Sequence, residues 1–227
     1  MEKSLTEFLE RAPLSRFHHI LLIIGSLVYG FAAMNYLLLP PILPAISKEW
    51  ALNLISLGIF VGALTGIGMF IGALSCGIIA DLIGRRKTLL LTVLIMTSFT
   101  ALCSIAWDIL SLSIFRFLAG IGLGGSLPQP GVYVSEYVPA KPRGRFLGLV
   151  ESAWAYGAVL AIIFPFYLIQ VYGEFLGWRL TFLTGLIPLI LIPLILRFVP
   201  ESIRYLENKG MREKALGVIE KHGLTSM

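Results

Sequence analysis

Charged residues are scarce in this 227-residue chain. Only 14% of the residues are Asp, Glu, Lys or Arg, whereas soluble globular domains carry about 25%. Hydrophobic residues make up 57% of the chain, and its mean hydropathy is +0.86. They form repeated blocks, each long enough to cross a hydrocarbon core about 30 Å thick. The composition therefore excludes an ordinary soluble enzyme and predicts an integral protein of the cell membrane, surrounded by the lipid bilayer.

Cysteine and histidine are also rare, with two cysteines and three histidines. Cys76 and Cys103 lie in successive apolar blocks, and antiparallel spans would place their thiols at opposite membrane faces, beyond disulfide reach. We expect both to be buried as small apolar groups. The histidines lack the spacing of a metal site, and no Ser/His/Asp set can be argued. We therefore predict no catalytic residue, no metal and no cofactor.

Six blocks that are nearly free of charge predict six transmembrane helices. They cover residues 20–44, 54–80, 88–107, 110–137, 146–172 and 178–199. Of the 18 Lys and Arg residues, Lys48 and Arg179 lie on one side of this pattern, Arg116 lies inside a span, and the rest lie on the side of the termini. The positive-inside rule then predicts cytoplasmic termini. The basic residues lack interleaved aromatics, so we predict no nucleic-acid partner.

Three regions follow from this topology. Residues 1–19 form a cytoplasmic N-terminal segment, residues 20–199 the six-helix transmembrane domain, and residues 200–227 a cytoplasmic linker. Within the linker, Met211, Ala215, Leu216 and Ile219 recur at helical spacing among charged residues. This pattern predicts a short amphipathic helix on the cytoplasmic surface, with a solvated tail as the alternative.

Glycine and proline are placed at intervals within the spans. The second span has glycines four apart, at Gly58, Gly62 and Gly66 and again at Gly68 and Gly72, which favours close helix packing.

Prolines fall about twenty residues into the first span, at Pro40, Pro41 and Pro44, and equally far into the fourth, at Pro128 and Pro130. Such matched bends in antiparallel spans predict an inverted three-plus-three repeat with a substrate site near the membrane midplane.

Two charged residues, Arg116 and Glu151, lie inside predicted spans, where a charge costs about 2.5–3.5 kcal/mol without a partner or water. Arg116 has the alternative of snorkelling to the interface, whereas the shorter Glu151 favours a cavity. The residues at comparable depth give the candidate substrate-binding set. They are Tyr29, Asn35, Tyr36, Arg116, Gln129, Tyr133, Glu151 and Trp154. Trp107, Tyr172 and Trp178 are expected to be interfacial anchors.

Several short motifs carry a resemblance to a known family. Gly77, Asp81, Gly84, Arg85 and Arg86 lie at and just beyond the end of the second span. This segment resembles the signature loop of the major facilitator superfamily, with Leu82 where a base is usual. Later segments are similar to motifs of its sugar-porter and metabolite branch, with Ile203 replacing the usual proline. They contain Glu136, Arg145, Gly177, Trp178, Arg179, Glu201 and Arg204.

That resemblance implies an all-α membrane fold, alternating access, and a gating role for these charged residues. Asp81 would accept hydrogen bonds at a facing helix N-terminus, while Glu136, Arg145, Glu201 and Arg204 would form a second cytoplasmic charge set. Glu151 falls where sugar porters carry a glutamine, and Asn35 lies near an aspartate of proton-coupled relatives. Glu151 would then be the midmembrane carboxylate available for a proton, and sugars, organic cations and organic acids remain open as substrates.

The superfamily's working unit has two six-helix halves, whereas this chain has one half and a linker. Three interpretations follow: a half-transporter that pairs with itself or a separate chain, a fragment of a split or truncated gene, or a non-transporting membrane scaffold. In the first, the second six-helix half is a necessary partner.

Overall fold

The computed structural model describes residues 13–222 and residue 224. The first twelve residues of the predicted N-terminal segment 1–19 lie outside this range, as do residues 223 and 225–227 of the predicted linker. In the described part, all regular elements are helical. The α-helices are α1 (Arg16–Leu37), α2 (Leu39–Glu49), α3 (Leu54–Ile83), α4 (Arg85–Leu102), α5 (Ile109–Ser126), α6 (Gln129–Tyr137), α7 (Ala140–Leu183), α8 (Leu191–Phe198), α9 (Ile203–Asn208) and α10 (Arg212–Lys221).

Both predicted proline clusters coincide with interruptions of the helices. The first long helix is interrupted at Leu38, where α1 gives way to α2 with prolines in its first turn. The fourth predicted span is interrupted between Ser126 and Gln129, beside Pro128. Because proline has no backbone N–H, each interruption leaves carbonyl groups without their usual helical donor.

The predicted charged breaks between spans are shorter than expected. Gly84 alone separates α3 from α4 with a φ of 102°, so Arg85, Arg86 and Lys87 form the first turn of α4. Likewise α7 already begins at Ala140, so the basic segment 141–145 is helical. Clusters of charged residues therefore indicate where a span ends, but they do not indicate where its helix ends.

Five continuous helical stretches of described residues are long and apolar enough to cross a membrane. The last, Ala140–Phe198, has 59 residues, a length of about 88 Å at 1.5 Å per residue, far more than one bilayer. Its helical geometry breaks at Gly173, which has a φ of 78°. The chain can therefore change direction at this residue.

Glycines allow α3 and α5 to pack backbone against backbone. A methyl group on Gly72 would overlap the Ile121 carbonyl oxygen, and one on Gly124 would overlap that of Met69. By contrast, a methyl group added to Gly62 or Gly66 would meet no heavy atom within 4 Å among the described residues. Close packing therefore uses Gly68 and Gly72, one of the two predicted glycine faces of α3, and leaves Gly62 and Gly66 of the other face open.

Two further predictions concern single side chains. Cys76 and Cys103 are free and buried, as expected. Trp107 is 71% exposed, consistent with an interfacial position, whereas the prediction for Trp178 is wrong. The Trp178 side chain is fully buried and its indole N–H donates to Glu49 at 2.7 Å.

The end of the linker packs against the start of the transmembrane domain. Ala215 and Ile219 of α10 are buried in one cluster with Phe17 and Leu21 of α1. The His222 ring lies 4.4 Å from the Phe17 ring, centre to centre. Ala215 and Ile219 are thus covered by protein, whereas Leu216 and the surrounding charged residues of α10 are exposed.

Candidate functional site

An aromatic and acidic cluster lies on the exposed side of α1 and α7. The Tyr29 hydroxyl donates to Glu151 Oε2 at 2.8 Å. The Trp154 ring lies 5.8 Å from the Tyr29 ring and 6.2 Å from the Tyr36 ring. Tyr29 and Tyr36 are seven residues apart and so share one face of α1, and Glu151 and Trp154 are three apart and share one face of α7. The packing of these two faces brings the four side chains together. We call Tyr29, Tyr36, Glu151 and Trp154 the Glu151 cluster.

The Glu151 cluster is open on one side. Glu151 and Tyr36 are exposed, while Tyr29 and Trp154 are half-buried. A carboxylate facing lipid is costly, and a hydroxyl donor relieves only part of that cost. This face therefore requires water or another protein surface beside it.

Arg116 does not join this cluster. Its side chain is 1% exposed, and its guanidinium donates to the carbonyl oxygens of Asn35 at 3.1 Å and Tyr36 at 3.3 Å. In a regular helix the Tyr36 carbonyl would accept from residue 40, but Pro40 has no N–H. Arg116 replaces that missing donor at the interruption of α1. The snorkelling alternative is therefore wrong, because the buried side chain is held by backbone oxygens.

Three other predicted substrate residues are interior. Asn35 is buried and donates to a backbone carbonyl of its own helix at 3.0 Å. The Gln129 side-chain amide donates to Cys76 Sγ at 2.8 Å, and Tyr133 stacks on Tyr137 with 6.3 Å between ring centres. The structure thus brings together four of the eight candidates. Depth along a span was readable from the sequence, but the direction of each side chain was not.

A second cluster of charges joins α4, α6 and the segment after α8. Arg85 Nε pairs with Glu136 Oε1 at 2.7 Å. Glu201 Oε1 accepts from the Arg86 backbone N–H at 3.1 Å, and the Glu201 carbonyl accepts from the Tyr137 hydroxyl at 2.7 Å. We call Arg85, Arg86, Glu136 and Glu201 the Glu201 cluster.

Glu201 stabilises the start of α4. That helix has no acidic residue in its first turn, and three basic residues there oppose the helix dipole. The Glu201 carboxylate provides the missing negative charge from far along the chain. It lies so close that a methyl group on Gly84 would collide with it.

The remaining predicted gating residues lie around this cluster. The Asp81 side chain is exposed and lines a polar groove with Arg85 and Arg204. Within this half, Glu201 occupies the helix-terminus position that we expected for Asp81. Arg145 is exposed in a separate groove beside Pro139, and Gly77 lies on the open face of α3.

The opposite end of the bundle has ion pairs that the sequence did not reveal. Arg179 binds Glu49 with two nitrogens, at 2.8 Å and 2.9 Å, and its guanidinium lies 4.1 Å from the Trp178 ring centre. Lys48 pairs with Glu174 at 2.8 Å. These contacts fasten the end of α2 to α7. The sequence shows these two basic and two acidic residues near the ends of predicted spans. Which of them pair could be seen only in the folded structure.

Comparisons with known proteins agree with this architecture. The family model described as sugar (and other) transporter matches residues 44–226. The niacin transporter NiaP of Acinetobacter baylyi is 37% identical over 213 residues, covering 94% of this chain and 47% of that protein. The benzoate transport protein of the same species is 32% identical over 225 residues, covering 97% and 47%. The partially occluded, inward-open xylose transporter XylE from E. coli superimposes with a TM-score of 0.83 at 22% identity, covering 93% of this chain and 55% of that one.

The chain therefore spans about half the length of the curated relatives it matches. Those relatives are transporters, which confirms the prediction that this family is not one of enzymes. The likeness to XylE shows the fold of this half. The matched residues include the motifs from Asp81 to Arg204 that carry the resemblance. By sequence and by fold, this chain belongs to the sugar (and other) transporter family of the major facilitator superfamily.

Proposed function

We propose that this chain is the N-terminal half of a solute transporter that works by alternating access with a second six-helix half. In this proposal the break at Gly173 divides Ala140–Phe198 into two spans, which gives six in total. The basic residues around the Glu201 cluster then lie on the cytoplasmic side, as do both termini.

The observation that carries the proposal is the Glu151 cluster. It places three aromatic rings and a carboxylate, hydrogen-bonded at 2.8 Å, on a face of α1 and α7 that this half leaves open. A second half covering that face would enclose these groups in a central cavity, the position of substrate sites in repeat-built transporters.

The solute that fits this surface is a small molecule with an aromatic ring. Ring faces stack on Tyr29, Tyr36 and Trp154, while Glu151 accepts hydrogen bonds from the solute. The matched relatives are named for niacin and benzoate, which both contain an aromatic ring. Glu151 also remains our candidate for carrying a proton, because Asn35 is neutral and buried.

The Glu201 cluster is our candidate for the cytoplasmic gate. It connects α4, α6 and the linker by an ion pair and by carboxylate-to-backbone bonds, so a movement of the linker must disturb the start of α4. Asp81 and Arg204 line the groove beside it and are available to a facing second half. Arg145 belongs to this gate only in another conformation.

Site-specific photo-crosslinking tests whether a second half covers the open face. A crosslinking residue would replace Ala155 on α7, one helical turn after Glu151 on the same face, or Ile78 on α3, and both positions are exposed. We expect protein adducts from both positions in native membranes. An adduct of twice the mass of this chain indicates self-pairing, and another mass indicates a separate partner. Lipid adducts alone at both positions would contradict the proposal and favour the scaffold.

A further inference from the structure

We propose that a basic groove at the end of the bundle near the termini binds the phosphate group of an anionic phospholipid. The groove lies between the start of α4, the end of α8 and one face of α10, and it holds about 300 Å³ of open space. This inference goes beyond transport. From the function proposed above it uses only the orientation that places this end of the bundle at the cytoplasmic surface.

Positive charge is in excess among the described residues that line the groove. Glu201 is the one acid there, and its carboxylate is already engaged. Oε1 accepts from the backbone N–H of Arg86 at 3.1 Å and from that of Ser202 at 3.0 Å. The cations form no ion pair with an acidic side chain of the described residues, so they can attract an anion. They are Arg86, Arg197, Lys214 and Lys221.

The helix α10 separates its charges between two faces. Lys214, Val218 and Lys221 follow one another at intervals of four and three residues, so they share a face, and all three line the groove. Glu213 and Glu220 of the same helix are not among its described lining residues. One face of α10 therefore presents two cations to the groove, with an apolar side chain between them.

Both walls of the groove are held in place by other contacts. Ala215 and Ile219 are buried against α1, which fixes the rotation of α10. On the other wall, Arg86 Nη2 donates to the Leu196 carbonyl oxygen and connects the start of α4 to the last turn of α8. Because these positions are set within the protein itself, an anion that binds in the groove loses little free energy to ordering it.

The apolar wall of the groove favours a lipid over a soluble anion. Leu196 is 51% exposed and Phe198 is half-buried, and both lie at the end of the apolar stretch Ala140–Phe198. Arg197 lies between them, with its guanidinium 5.6 Å from the Phe198 ring centre. The cations thus begin where the apolar surface ends, as phosphate groups do in a bilayer. Basic pockets beside membrane helices on the cytoplasmic side are typical headgroup sites.

A bound headgroup would connect three parts of the chain. Its phosphate oxygens would pair with cations of α4, α8 and α10, so the linker would be held more firmly on the transmembrane domain. Since a ligand that binds only the packed state stabilises that state, lipid binding should slow local opening of α10.

Lipid titration of the full-length chain in a neutral detergent, followed by native mass spectrometry, tests the site. The probes are phosphatidylglycerol, which is anionic, and phosphatidylcholine with the same acyl chains, which has no net charge. We expect the dissociation constant of phosphatidylglycerol to be at least about tenfold lower. The double variant Lys214→Gln, Lys221→Gln should raise it at least about tenfold and leave that of phosphatidylcholine within about twofold. Arg197→Gln, on the other wall, should weaken the same lipid.

The double variant Lys87→Gln, Lys141→Gln is the matched control. It removes the same charge from exposed positions near the same end of the bundle, outside the groove. Its dissociation constant for phosphatidylglycerol should stay within about twofold of wild type. Equal binding of the two lipids, or equal weakening by the groove and control variants, would overturn the inference.

Hydrogen exchange in α10 distinguishes a lipid from a free anion. Phosphatidylglycerol should slow this exchange, and inorganic phosphate at the same concentration should not. Equal protection by inorganic phosphate would refute the lipid assignment and indicate a site for a soluble anion. These outcomes are separate from the crosslinking at Ala155 and Ile78. Lipid adducts alone there would refute the proposed transporter half and leave the headgroup site standing.

Discussion

At the scale of single residues, Arg116 and Glu151 meet the cost of an intramembrane charge in different ways. Arg116 is buried and bound to two carbonyl oxygens at the α1 interruption. Glu151 is exposed on the open face and accepts from one tyrosine. In the first case the charge stabilises the fold, and in the second it remains free for a solute or a proton.

Arg116→Met tests the structural role of the guanidinium. The variant leaves the Tyr36 carbonyl without a donor in an apolar setting, so we expect the free energy of unfolding to fall by about 1–3 kcal/mol. Denaturant unfolding followed by tryptophan fluorescence in detergent measures this. Arg145→Met, at an exposed position, is the control and should change little. A fully stable Arg116→Met variant would show that another group donates hydrogen bonds to the Asn35 and Tyr36 carbonyl oxygens.

The sequence predicted the depth of these residues but not their direction. Counting from the span ends predicted that Arg116, Gln129 and Glu151 lie inside spans, and all three lie within the long apolar helical stretches Ile109–Tyr137 and Ala140–Phe198. The side of a helix that faces its neighbours depends on which helices pack together, and spans that are apolar on all sides carry little directional signal. Asn35 and Tyr36 are adjacent in sequence, yet one is buried and the other exposed.

At the scale of helices, glycine determines which faces pack. The α3–α5 interface depends on residues whose lack of a side chain lets carbonyl groups of the other helix approach. The four-residue spacing predicted this packing, but it could not show that Gly72 is used and Gly62 is not. Packing in membranes depends on such close contact, because burial of apolar surface contributes little there.

Gly72→Ala tests this contact. The added methyl group overlaps the Ile121 carbonyl oxygen, so the helices must separate, and we expect a loss of about 1–3 kcal/mol in unfolding free energy. Gly62→Ala, on the open face of the same helix, is the control and should be neutral or slightly stabilising. Thermal unfolding in detergent gives the comparison. Equal effects from both variants would mean that α3 and α5 do not pack through Gly72.

Gly84→Ala tests the connection between α3, α4 and the Glu201 cluster. The substitution places a methyl group at a φ of 102° and against the Glu201 carboxylate. The strain alone costs about 1–3 kcal/mol. Gly210→Ala separates the backbone strain from the contact with Glu201. Gly210 also has a positive φ, of 70°, but a methyl group there would have no neighbour within 4 Å among the described residues.

We expect Gly84→Ala to be the more destabilising and to speed hydrogen exchange in the first turn of α4, where Glu201 accepts from Arg86. Gly210→Ala should leave that exchange unchanged. Equal destabilisation and unchanged exchange in both variants would show that the Glu201 contact contributes nothing.

At the scale of the whole molecule, the linker returns to the beginning of the transmembrane domain. α10 packs on α1 through Ala215, Ile219 and the His222–Phe17 contact. The sequence predicted the helix from its periodicity. It could not show that the apolar face is buried against protein, because the partner surface lies about two hundred residues earlier in the chain. The Glu201 cluster could not be predicted for the same reason, because Glu201 contacts residues that are distant in the sequence.

His222 makes this contact sensitive to pH. Burial, together with the charge of Lys221, lowers the pKa of His222 below its usual 6.5. The groove also contains Arg86, Arg197 and Lys214 as cations and Glu201 as an anion. The packed state thus favours the neutral ring, so its stabilisation is present above pH 6.5 and is lost as the pH falls through the lowered pKa.

We expect hydrogen exchange in α10 to quicken between pH 7 and pH 5 relative to the intrinsic rate. His222→Phe keeps the ring contact without the charge and should abolish this change. A pH response that persists in His222→Phe would assign the effect to another group.

The central claim is that this chain contributes half of a solute path centred on Glu151, and solute counterflow tests it most directly. Proteoliposomes would contain the complex purified from native membranes through a tag on this chain, with a pyridine or benzene derivative as solute. Wild type and Glu174→Gln should show the same counterflow and the same pH dependence. Glu151→Gln should lose proton-driven accumulation while retaining exchange, because an amide cannot carry the proton. Accumulation in Glu151→Gln that matches wild type in rate and in pH dependence would contradict the account.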